Sequence, residues 1–136
     1  MKKFDIIQPT KDNENCIFCK ELEDDETVFF HITPKKNFNS IIESGFLSAH
    51  DLNIGVLKSV SYAKKSSLCI AHFYSDENHK STDYVVFAVK FDSLNKKGIQ
   101  INYTPSKKIT DIHVYDKSIQ PHILGYCEIP KGSFYS

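Results

Sequence analysis

Residues 28–48 read VFFHITPKKNFNSIIESGFLS, and the spacing of their apolar positions changes partway along. Val28, Phe29, Phe30 and Ile32 form an unbroken aromatic and β-branched run around His31, short enough for a buried strand. Beyond it, Thr33 has the side chain of an N-cap and Pro34 suits the first helical position, where no N–H is needed. Phe38, Ile41 and Ile42 then fall at i, i+3 and i+4, the spacing of one apolar helix face. Gly45 is the stop signal and Phe46 with Leu47 the apolar partner of that cap, so the unit predicts strand, helix and return.

The pattern continues with residues 54–57, IGVL, as a short strand candidate. Ser59 or Ser61 would cap a second helix in which Tyr62, Ala63, Ser66, Ile70 and Phe73 share one side. Residues 75–82 are polar and predict a loop. Residues 83–91 contain YVVFAV, apolar at both parities, which marks a strand buried on both faces. A turn at residues 95–98 leads to β segments at 99–103, 109–115 and 122–129, with Pro105, Lys107 and Pro121 near the breaks. Helices early and strands late predict a single α+β domain with a mainly antiparallel sheet and two or more helices. Residues 1–27 are polar, with an acidic run at 21–26, and are expected as an N-terminal arm lying across a domain of residues 28–136.

Composition agrees with a folded chain: 136 residues, 40% hydrophobic and 25% charged, enough for one core without disulfide staples. The longest apolar run, residues 84–89, is too short to span a bilayer, and the N-terminus lacks the apolar stretch of a signal peptide. A cytoplasmic protein with no membrane partner is therefore expected. Seventeen basic residues balance seventeen acidic ones, so no global field draws the chain to nucleic acid. All seventeen basic residues are Lys, which excludes any mechanism that needs a bidentate guanidinium. Cys16 and Cys19 have the spacing of half a zinc site, but no second CxxC or HxxxH completes it, and Cys69 and Cys127 stand alone. Reduced thiols and no metal are the expectation. His50, His72, His79, His113 and His122 show no metal-ligand spacing.

His31 is the leading candidate for chemistry. An imidazole within an apolar strand serves as a satisfied core group, a general base or a ligand donor. Thr33 has the same pleat phase, so both side chains point one way and can form a hydrogen-bonding platform for an amide or a ribose hydroxyl.

His31, Ile32 and Thr33, then an amphipathic helix, then Ser44, Gly45, Phe46, Leu47 and Ser48 resemble the His-x-Thr strand, helix and Gly-Leu turn that open the ADP-ribosyltransferase fold. Residues 55–63, GVLKSVSYA, are similar to that family's second strand and the start of its next helix. Residues 84–91 with Asp92, Ser93 and Leu94 resemble its third strand and turn, and residues 125–130, GYCEIP, stand where it places a catalytic glutamate. The likeness spans residues 28–130 and extends to DarT-like toxins and PARP-like His-Tyr-Glu enzymes. It implies an ADP-ribosyltransferase-like domain that uses NAD as substrate and modifies an unknown protein or nucleic-acid acceptor. On that resemblance the catalytic set is His31, Tyr62 and Glu128, with His31, Thr33, Ser59 and Tyr62 binding NAD. His31 would bond the nicotinamide ribose, Tyr62 stack on the nicotinamide and Glu128 orient the ribose 2′-hydroxyl. Leu57 stands where the His-Tyr-Glu branch keeps its stacking Tyr, and no Arg is available for the branches that need one. The alternatives are an inactive relative or an unrelated nucleotide- or protein-binding module, with Tyr62 as core packing and Glu128 as the outward residue of an edge strand.

Overall fold

The computed structural model describes residues 1–77 and 80–134. In chain order its elements are α1 (Lys20–Glu23), β1 (Val28–Pro34), a 3-10 turn (Lys35–Asn37), α2 (Phe38–Ser44), β2 (Val60–Ala63), α3 (Ser66–Ser75), β3 (Tyr84–Lys90), β4 (Ile99–Tyr103), β5 (Ile109–Val114) and β6 (His122–Ile129). All six strands form one sheet in the order β4-β5-β2-β1-β3-β6, with every neighbouring pair antiparallel. This is the α+β domain with an antiparallel sheet that the pattern predicts. Among the described residues no helix is long and apolar enough to cross a membrane.

β3 is buried at every position except Lys90, as its continuous apolar run requires, because both faces of the sheet are covered. On one face Phe30, Val86, Ala88, Cys127 and Ile129 pack with Ile17, Phe18 and the α3 residues Cys69, Ile70 and Phe73. On the other, Phe29, Tyr62, Val85, Phe87, Val89 and Ile112 pack with Ile41 of α2, Phe46 and Phe91. The stretch before Val28 runs beside β6 at the Lys3–Tyr126 bridge and then enters the first core, with Ile17 fully buried and Phe18 nearly so. A fully buried side chain of this size is worth about 1.5–3 kcal/mol, more than a surface ion pair, so residues 16–18 are anchored as core.

Three local expectations change. Thr33 and Pro34 are not a helix cap: β1 stays paired with β3 as far as Pro34 opposite Tyr84, and the Lys35 N–H donates to the Asp83 carbonyl. The Thr33 hydroxyl instead accepts from the Asn37 side-chain amide at 2.9 Å. Residues 54–57 form no strand, and Ile54, Val56 and Leu57 are exposed. Residues 60–63, expected as the first turn of a helix, are β2; the helix starts only at Ser66. VSYA suits period 2 as well as 3.6, and pairing with β5 decides between them. Of the expected loop at 75–82, Ser75 ends α3, Asp76 follows it in extended backbone, and Asn78 and His79 lie outside the described residues.

Candidate functional site

The site arises where the sheet divides. β1 is in register with β3 along its whole length, but it meets β2 only at Phe30 opposite Ala63. A continued ladder would set Ile32 opposite Ser61. Instead the strands splay, and the backbone groups they would have shared need other partners. The Ser61 carbonyl accepts a hydrogen bond from His31 Nδ1 at 2.7 Å. The gap opens a cleft of about 560 Å³ between α3, β2 and the segment after α2, within the size range of small-molecule sites.

Donation to a carbonyl fixes the proton of His31 on Nδ1, and burial holds its pKa below the ordinary histidine value. The ring is therefore neutral at neutral pH, with a lone pair on Nε2. His31 contacts Phe46 edge-on at 5.2 Å and Tyr62 at 5.4 Å between ring centroids, which holds the imidazole plane.

Of the other residues singled out in the sequence, Ser59 and Tyr62 line the same cleft as His31. Tyr62 is only 1% exposed, set edge-on against Phe46 and Phe91, and burial drives its hydroxyl pKa upward. Its ring supports His31 from the core and offers no open face for stacking. Thr33 does not line the cleft but an adjoining pocket of about 140 Å³ that it shares with His31. Glu128 does not join them. It lies on β6, opposite Val85 and two strands from β1, and forms ion pairs with Lys35 at 3.2 Å and Lys3 at 3.3 Å. The Lys35 ammonium, with help from Lys3, holds its pKa below the usual carboxylate value.

The carboxylate that does line the cleft is Asp111 on β5, which the sequence reading passed over. Asp111 Oδ2 lies 2.9 Å from His113 Nε2 and accepts from the Asn102 amide at 3.2 Å; His113 Nδ1 is 2.9 Å from Ser61 Oγ. A signal was present: in residues 110–114, TDIHV, Asp111 and His113 alternate with Ile112 and Val114, so both project from one face of a half-buried strand. Spacing along the chain does not reveal that Ser61 is opposite His113, because that register belongs to β2 and β5 together.

Among the described residues no group of three or more His, Cys, Asp or Glu is placed to hold a metal ion. Cys16, Cys69 and Cys127 are buried free thiols. Burial raises the pKa of each, that of Cys127 to about 12, which keeps them protonated. No lysine lines the cleft among the described residues. No family model, curated protein or solved structure matches this chain.

Proposed function

We propose that the cleft binds NAD and transfers its ADP-ribose to an unidentified protein or nucleic-acid acceptor. Breaking the nicotinamide glycosidic bond passes through an oxocarbenium-like state, which a nearby carboxylate stabilises and a fixed hydrogen-bond acceptor orients. In this reading His31 Nε2 accepts from a ribose hydroxyl, and Asp111 takes the carboxylate role that the resemblance gave to Glu128. The observation that carries the proposal is His31, whose Nδ1 is bonded to the Ser61 carbonyl at 2.7 Å, in the same cleft as Asp111. Incubation with labelled NAD tests it. Wild type should release nicotinamide, Asp111→Asn and His31→Ala should lose about a hundredfold or more of the rate, and Glu128→Gln should retain it. No transfer and no NAD hydrolysis by the wild type would refute the proposal.

A second reading, ligand binding without turnover, is favoured by the burial of the Tyr62 ring and by the lack, among the described residues, of a cleft lysine to meet a pyrophosphate. Thermal stabilisation by a non-hydrolysable NAD analogue, with no nicotinamide released from NAD, would select it.

A further inference from the structure

We propose that Ser61 is a nucleophile, activated by His113 and positioned through Asp111, that cleaves uncharged esters with apolar acyl groups in this cleft. The proposal does not depend on the NAD reading. Three features of covalent acyl transfer coincide here: a hydroxyl bonded to an imidazole, the far nitrogen of that imidazole bonded to a carboxylate, and a backbone donor beside the hydroxyl. Asp111 accepts from His113 Nε2 at 2.9 Å, which places the ring proton on Nε2 and leaves Nδ1 to accept from the Ser61 hydroxyl, also at 2.9 Å. Asn102 donates to the same Asp111 oxygen, holding the carboxylate in place.

The backbone donor follows from the register. The Lys64 N–H donates to the Thr110 carbonyl, so Lys64, Tyr62 and Val60 are the β2 residues whose backbone groups face β5. The Ser61 N–H therefore faces the opposite way, into the gap between β2 and β1, beside the carbonyl that His31 occupies. A carbonyl oxygen of a bound ester would be met there as it becomes an oxyanion.

The chemistry balances without a cofactor. Ser61 Oγ attacks the ester carbonyl, its proton passes to His113 Nδ1, and the C–O bond to the leaving alcohol breaks as that alcohol takes the proton. Water, deprotonated by His113, then hydrolyses the acyl-Ser61 and regenerates the hydroxyl as the carboxylic acid leaves. Leu47, Leu57 and Leu68 line the cleft and, among the described residues, no lysine does so, which fits an apolar acyl group and not an anionic one.

A fluorophosphonate probe applied to the full chain tests the nucleophile, with p-nitrophenyl butyrate as the turnover substrate. Labelling should map to Ser61 and vanish in Ser61→Ala. It should slow about a hundredfold in His113→Gln, in line with loss of a general base. Asp111→Asn should slow it comparably, and Asp111→Glu should restore part of the rate, which separates positioning from a purely structural role. Absence of labelling in the wild type, or labelling unchanged in Ser61→Ala or His113→Gln, would overturn the proposal. A second measurement avoids reliance on loss of signal: Ser61→Cys should react with iodoacetamide at neutral pH at least tenfold faster than Ser61→Cys combined with His113→Gln, and equal rates would also overturn it.

Discussion

Glu23 is 3% exposed, and its carboxylate stands at the N-terminus of α3, the helix that brings Leu68, Cys69 and His72 to the cleft. It accepts from the Ser66 N–H at 3.0 Å, from the Phe18 N–H at 3.4 Å and, over a shorter contact, from the Ser66 hydroxyl. The Ser66 oxygen in turn accepts from the Ile17 N–H at 2.9 Å, so one carboxylate organises both the helix start and the entry of residues 16–18 into the core. Helix N-termini leave backbone donors unpaired and favour negative charge, and Glu23 supplies both remedies where water cannot. Glu23→Ala strands three buried donors. Each costs about 1–3 kcal/mol when left unsatisfied, and because the three meet one carboxylate, two of them on the same oxygen, and one of the bonds is long, the expected net loss is about 3–5 kcal/mol. Glu23→Gln keeps the volume and one acceptor oxygen but turns an NH₂ toward a donor, for a loss of about 1–3 kcal/mol. Urea unfolding of the three proteins reads these values from the midpoints at constant slope. Small domains have about 5–15 kcal/mol in all, so Glu23→Ala should be visibly destabilised at room temperature. A loss below about 1 kcal/mol for Glu23→Ala, the size of an ordinary surface change, would refute this account of α3.

Three further predictions concern other parts of the molecule. Gly125→Ala places a Cβ against the Phe4 ring and 2.5 Å from the Lys2 carbonyl, so it should cost about 1–3 kcal/mol. It should also abolish hydrogen-exchange protection at Phe4, whose N–H donates to the Tyr126 carbonyl at 2.7 Å; retained protection would argue against close packing there. Burial lowers the His31 pKa in the folded state below 6.5, so the unfolded chain takes up the proton first as pH falls. Stability from this group is full above pH 6.5 and declines below it until the folded pKa is reached, and in urea titrations His31→Gln should flatten that decline. The Glu128 pKa is lowered chiefly by Lys35, so its contribution is present above the ordinary carboxylate value of 4.5 and lost as acid titrates the folded group. As a partly exposed ion pair it should be worth less than about 1 kcal/mol, and the wild type minus Glu128→Gln difference should shrink with salt and at low pH.

Local chemistry was enough to read much of this protein. The unbroken apolar run of β3 marks a strand covered on both faces, since no exposed strand carries such a run cheaply. Gly45 adopts φ +82° at the end of α2, with its N–H on the Ile41 carbonyl, as a helix-terminating glycine does. His31 belongs to a buried strand because its neighbours are aromatic and β-branched, and the late β segments follow from alternation between turn residues. What tertiary structure alone decided is non-local. Residues 60–63 extend because β5, about fifty positions away, offers them a ladder, and a four-residue segment has too little intrinsic preference to choose. The partners of His31 depend on strand order: β6, with Glu128, lies beyond β3, whereas β5, with Asp111, flanks the strand that leaves β1. A sequence pattern specifies which way each side chain points from its own strand, but which strands become neighbours is set by the packing of the whole core, and that choice placed Ser61, Asp111 and His113 together.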